Sequence, residues 1–155
     1  MPGAVRVGGR SFIDTNVLAY RFDDGEVDKQ ATARRRLHEE RAAGAELVVS
    51  TQVLQELYVC LAGGRKPIAS PEIAEAAVHE ATTLTVVQID PPLIAEAIRE
   101  SRKSMISFWD ALIIRAALAG GCSRLLSEDL NDGQAFGALV VENPFAGVKA
   151  KARKK

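Results

Sequence analysis

The sequence predicts an α/β fold, a three-layer α/β/α sandwich around a central, mostly parallel sheet. Three observations lead there. Strand-like and helix-like segments alternate along the chain. The strand candidates are short continuous apolar runs, the pattern of strands buried on both faces. The helix candidates open on capping residues and close on glycines. Right-handed crossovers join such units into one sandwich. The 155 residues suit a single domain, assigned to residues 1–148, with a full core.

The elements follow in order. "SFID" reads as a first strand ending at Asp14. "DKQATARRRLHEERAAG" is a polar, amphipathic helix that stops at Gly44. "ELVV" is a second strand, after which Ser50 and Thr51 can cap the helix "QVLQELYVCLAGG". That helix is expected to bury Val53, Leu54, Leu57, Tyr58 and Leu61. Ser70-Pro71 opens another helix, with serine as cap and proline in the first turn. "LTVVQI" is a third strand, and Asp90-Pro91 starts the helix "PPLIAEAIRESRKS". Ser107 caps a strongly apolar helix, "FWDALIIRAALAGG". "CSRLLS" is a fourth strand, "GALVV" a short fifth, and residues 149–155 form a basic, mobile tail.

Composition excludes several classes. The chain is 47% hydrophobic and 26% charged, neither disordered nor fibrous. No apolar run reaches the ~18 residues of a membrane-spanning helix. The N-terminus lacks the apolar core of a signal peptide, so the cytoplasm is the expected compartment. Cys60 and Cys122 make no metal spacing and are expected to be ordinary buried thiols. His38 and His79 sit on polar helices and are expected at the surface. No Ser-His-Asp set and no phosphate-binding glycine loop occurs.

What stands out is acids beside apolar segments. Each has a plain structural reading. Ser107-x-x-Asp110 matches a capping box, and an acid in a first turn suits the helix dipole. Yet at ~100° per residue Asp110 lies within about 40° of Ile114, with apolar neighbours on both sides. Glu56 is equally a solvated edge residue of its helix. Asp14 is equally an Asx-turn or helix cap. Asp129 is equally part of a polar loop.

Taken together the four say more. In a βαβ unit the strand C-termini and helix N-termini share one edge of the sheet. Asp14 and Asp129 follow strands, and Glu56 and Asp110 sit in early helix turns. All four therefore belong to the edge where open α/β sheets place their ligand crevice. If the first and fourth strands are neighbours, the acids converge, and their repulsion calls for a hard divalent cation, Mg2+ or Mn2+. Such a crevice without a nucleophile points to hydrolysis of a phosphodiester by metal-activated water, with one or two ions.

"FIDTNVLAY", "QVLQELY", "ISFWDALII", "LLSEDLNDGQ" and "VVENPF" resemble PIN-domain proteins, in particular VapC-type toxins, over about Phe12 to Phe145. The resemblance implies a PIN-like α/β/α sandwich and a Mg2+-dependent endoribonuclease. It implies an acidic centre of Asp14, Glu56, Asp110 and Asp129. Asp14, Asp110 and Asp129 would bind Mg2+ directly or through water, and Glu56 would orient a metal or its water. Thr15 and Asn16 would hold Asp14 in place, and Ser127 matches a small hydroxyl position. Asp132 is a further candidate acid in the same loop. The implied partners are RNA, a cognate VapB-type antitoxin whose C-terminal segment covers the crevice, and a second copy in a homodimer.

With zero formal net charge, RNA binding must rest on local basic groups. Candidates are Arg65 and Lys66, then Arg99, Arg102 and Lys103, and then Arg34, Arg35 and Arg36, each equally readable as a solvated face. Two other functions fit less well. A catalytically silent PIN scaffold that binds RNA or a protein would not need all four acids. A receiver-like phosphoacceptor would need an acid pair after the first strand, where Asp14-Thr15-Asn16 stands.

Overall fold

The computed structural model describes residues 8–148, so the expected tail over 149–155 lies outside the described residues. Twelve elements follow one another: β1 (Arg10–Ile13), α1 (Thr15–Tyr20), α2 (Val27–Ala42), β2 (Glu46–Ser50), α3 (Thr51–Ala62), α4 (Pro71–Ala81), β3 (Thr85–Val87), α5 (Pro91–Ser104), α6 (Phe108–Ala119), β4 (Arg124–Leu126), β5 (Ala135–Phe136) and β6 (Leu139–Glu142). The sheet order is β3-β2-β1-β4-β6-β5. Every pairing is parallel except the β5–β6 hairpin. Helices flank this sheet as the alternation predicts. The chain walks outward from β1 to β3, then returns to place β4 on the other side of β1. The strand order therefore reverses between β1 and β4, and a crevice opens there.

The apolar runs are buried as parallel strands require. Phe12, Ile13, Val48, Val49, Leu125, Leu126, Leu139 and Val141 are fully buried, whereas edge strand β3 is only half-buried. Caps set the helix starts. Ser50, Ser70, Asp90 and Ser107 each accept a hydrogen bond from the backbone N–H three residues on. Among the described residues, no helix is long and apolar enough to cross a membrane.

Several expectations need correction. The sequence pattern missed α1, because six residues are too short to show helical periodicity. The expected fifth strand is β6, starting at Leu139, and β5 precedes it as a two-residue return. Tyr58 is exposed rather than buried, and α3 buries Gln52 instead, with Val53, Leu57 and Leu61. Cys60 is exposed; Cys122 is buried as expected. His38 and His79 are exposed, as expected.

On the α2 face lies an ion network. Glu40, only 3% exposed, accepts from Ser11 Oγ at 2.5 Å and Arg124 Nε at 3.0 Å, with Arg36 Nε at 3.5 Å. Arg36 also reaches Glu142 at 2.8 Å. Burial pushes the Glu40 carboxyl up, but the Ser11 and Arg124 hydrogen bonds and the two cations outweigh it, and Glu40 stays below the usual range. Arg36 is thus tied into the fold rather than offered to RNA. Arg34 donates to the Arg21 carbonyl at 2.7 Å, and Arg35 pairs with Glu39 at 3.3 Å. Arg65, Lys66, Arg99, Arg102 and Lys103 are exposed.

The close of α6 gives a test of packing. A Cβ on Gly120 would stand 3.0 Å from Val87 Cγ2 and 3.2 Å from Val48 Cγ1. Gly120→Ala should therefore cost about 1–3 kcal/mol by forcing α6 off the sheet, read as a lowered urea midpoint with an unchanged slope.

Candidate active site

β1 ends at Ile13, and Asp14 continues its pairing, its N–H donating to the Leu126 carbonyl at 3.0 Å. The chain turns there into α1, with Asp14 as cap. Both Asp14 oxygens are engaged: Oδ1 accepts from the Thr15 N–H at 2.7 Å, and Oδ2 from Ser127 Oγ at 2.7 Å. Ser127, fully buried after β4, in turn accepts from the Asp129 N–H at 3.2 Å. One hydroxyl thus ties the acid after β1 to the acid after β4, across the reversal of strand order.

The other contacts extend this chain. Thr15 Oγ1 donates to Glu56 Oε2 at 3.3 Å. Gln52, one turn earlier on α3, donates to Glu56 Oε1 at 2.9 Å and to the Trp109 carbonyl at 3.4 Å, which links α3 to the first turn of α6. Asn16 Nδ2 donates to Asp129 Oδ2 at 3.1 Å, and Asn16 Oδ1 accepts from the Glu128 N–H at 3.2 Å. Asp110 stands in the first turn of α6, its N–H bonded to the Ser107 cap at 3.0 Å.

The expected support of Asp14 therefore differs in detail. Thr15 holds Asp14 by its backbone and Glu56 by its hydroxyl, while Asn16 serves Asp129. Asp132 stands apart: its Oδ1 accepts from the Asn143 N–H at 2.9 Å, anchoring the "NPF" segment. Gln52 was missed, because a glutamine among apolar helix residues carries no motif. Its burial, 5% exposed, is the only signal, and only the fold reveals it.

Electrostatics bring the four acids into one neighbourhood. Burial pushes the Asp14 carboxyl up to about 7; the Ser127 and Thr15 hydrogen bonds oppose this, and repulsion from Asp129 and Glu56 adds to it. Asp110 is also raised, by burial first, with the same two acids repelling it and Ser107 opposing. An open crevice of 440 Å³ adjoins them, lined by Thr15, Asn16, Gln55, Glu56, Val59, Cys60 and Asp129.

Carboxylates crowded among like charges call for a counter-cation, and every donor here is a hard oxygen. Among the described residues, no three Asp, Glu, His or Cys side chains already surround one point at coordinating distance. Mg2+ keeps several waters and needs only one or two carboxylates. The donor set therefore fits a hydrated hard cation rather than a complete protein cage.

Comparison with known structures gives the same fold. The chain is similar to VapBC2 of Rickettsia felis bound to a promoter DNA fragment, with 17% identity, TM-score 0.62, and 86% of this chain and 98% of that chain covered. It is similar to VapC20 of Mycobacterium tuberculosis, a sarcin-ricin loop cleaving toxin, with 23% identity, TM-score 0.58, and 77% and 91% covered. It is also similar to a DNA-bound VapBC from Salmonella typhimurium, with 18% identity, TM-score 0.61, and 87% and 98% covered. No curated relative matches the sequence. The PIN domain, as a sequence family, matches residues 11–131 and so spans all four acids. This chain belongs to the PIN-domain family.

Proposed function

We propose that this protein is a Mg2+-dependent endoribonuclease and the toxin of a type II toxin–antitoxin pair. The observation that carries the reading is the hydrogen-bond chain at the reversal of strand order, which links Asp14 through Ser127 to Asp129 and through Thr15 to Glu56, with Asp110 raised by the same two acids after burial. Similarity to VapC-containing structures supports the toxin assignment and a VapB-type antitoxin; a homodimer and action in the cytoplasm belong to the same proposal.

The residues divide the work. Asp14, Asp110 and Asp129 would hold Mg2+ directly or through water, with Mn2+ as substitute, and Glu56 would orient the ion or its water. Ser127, Thr15, Asn16 and Gln52 fix Asp14, Glu56 and Asp129 against their mutual repulsion. When bound, the ion supplies an acidified water and a counter-charge for the phosphodiester.

Purified protein should cleave an RNA panel with Mg2+ or Mn2+ and stop when EDTA is added, and expression alone should slow growth unless a partner is co-expressed. EDTA-resistant cleavage by homogeneous protein would remove the metal mechanism. Mg2+-binding protein that cuts no RNA would leave a binding scaffold. Normal growth with RNA-active protein present would remove the toxin role.

A further inference from the structure

The loop after β4 carries two neighbouring acids with opposite surroundings. Asp129 is exposed at the crevice, while Glu128 is half-buried and fully engaged elsewhere. Glu128 Oε1 accepts from the Tyr20 hydroxyl at 2.7 Å, and Oε2 from Lys29 Nζ at 2.6 Å. Lys29 Nζ also donates to the Tyr20 oxygen at 3.2 Å, closing a three-membered ring of contacts. The Lys29 ammonium lies 4.9 Å from the Tyr20 ring centre and 5.9 Å from that of Phe145. Those two rings meet edge-on at 4.9 Å. Three segments thus converge on the Lys29 side chain of α2: the end of α1, the β4 loop and the "NPF" segment.

The backbone of that same residue leads back to the crevice. The Glu128 N–H fixes Asn16 Oδ1, which aims the Asn16 amide nitrogen at Asp129 Oδ2. We propose that Lys29, Tyr20 and Glu128 are positioning residues that lock the 127–129 loop, so that Asn16 presents Asp129 to a divalent cation in one orientation. The cation rests on the endoribonuclease reading; the lock itself does not.

Two physical consequences follow. Lys29 neutralises a fifth carboxylate beside four others; without it Glu128 would be a half-buried, unpaired charge that must turn toward water. Its backbone would turn with it and release the Asn16 amide. Tyr20 is satisfied both as donor and as acceptor. Burial, then the Glu128 carboxylate, pushes its phenol up to about 12, so it remains a donor throughout the neutral range.

The test uses full-length protein carrying Tyr20→Phe, which removes one oxygen and keeps the ring, and Lys29→Met with Lys29→Arg as conservative partner. Three quantities are measured: the Asn16 side-chain amide signals in the 15N–1H spectrum without metal, Mn2+ affinity by calorimetry, and kcat and KM on RNA. Tyr20→Phe and Lys29→Met should shift the Asn16 signals, weaken Mn2+ binding by roughly 10–100-fold, and lower kcat with KM little changed. Lys29→Arg should restore most of each. Folded Tyr20→Phe protein with a lowered melting temperature but wild-type Asn16 signals and Mn2+ affinity would overturn the lock and leave a merely structural cluster. Wild-type protein that cuts no RNA, beside variants whose Asn16 signals still move, would sustain the lock and overturn the endoribonuclease reading.

Discussion

Asp14→Asn is expected to reduce RNA cleavage by more than the roughly 10–100-fold typical of an outer-shell loss at a metal site, while making the metal-free protein more stable at pH 8. The second half follows from linkage. The Asp14 carboxyl ionises near 3.8 when unperturbed and near 7 in the fold. Between those values the unfolded chain has lost its proton and the folded chain retains it, so the charged form disfavours folding. Stability therefore falls as pH rises from about 4 to about 7, then levels. At ~1.4 kcal/mol per pH unit of separation, the full loss is on the order of 4 kcal/mol. Asparagine keeps the shape and removes the charge, so its stability should stay flat over that window. Part of the gain is offset, because Ser127 must reorient against the new amide. Mg2+ should narrow the gap by binding the native wild type: saturation at 100 times Kd adds about 2.7 kcal/mol, and the variant should gain less. Thermal unfolding from pH 4 to 8, with EDTA and with Mg2+, beside an RNA assay, reads all of this. A variant that still cuts RNA at the wild-type rate, or a wild type whose metal-free stability does not fall toward pH 7, would refute the expectation.

A second large effect is expected far from the acids. Glu40→Ala removes the carboxylate shared by Ser11, Arg124 and Arg36. The Arg124 side chain is mostly buried, 13% exposed, so it would be left as a poorly solvated cation, while Arg36 would keep only Glu142. Breaking a buried pair from one side costs about 3–5 kcal/mol, a large share of the ~5–15 kcal/mol that holds a domain together. The carboxyl is held below its ordinary value in the fold, so its contribution is present at neutral pH and lost as pH falls through that depressed value. Urea unfolding at pH 7 should show a much lower midpoint at unchanged slope, and the difference from wild type should shrink in acid. Because Glu40 touches none of the four acids, cleavage per folded molecule should be preserved. A midpoint within ~0.5 kcal/mol of wild type would mean that the network contributes nothing.

The sequence revealed some of these features and hid others, for physical reasons. Helix starts were legible because caps act locally: Ser70 and Ser107 bond to an N–H only three residues away. The buried strands were legible because a strand covered on both faces has no polar face to show. Asp14 and Asp110 stood out because charge beside apolar residues needs a reason. What stayed hidden depends on distant segments. The length of α1 hides it from periodicity, and its cap is also a candidate catalytic acid. Tyr58 and Cys60 have buried-type side chains on the outward side of α3, where nothing in the pattern marks the boundary of the face. Glu40 looks like one more charge on a polar helix until β1 and β4 bring Ser11 and Arg124 beneath it. Tyr20, Lys29 and Glu128 lie up to 108 residues apart and match no motif.

The sheet also ends abruptly on both sides. One outer strand, β3, has three residues, and the other, β5, has two. A strand of that length offers very few free N–H and C=O groups, so a foreign strand docking there could form hardly any of the ladder that stabilises such pairing. The apolar centre is thereby shielded from the edge-to-edge recruitment that leads to fibrils. The same brevity limits how another polypeptide can join this one. A complex made by continuing the sheet has almost no template among the described residues, so side chains rather than strand pairing would have to hold a companion.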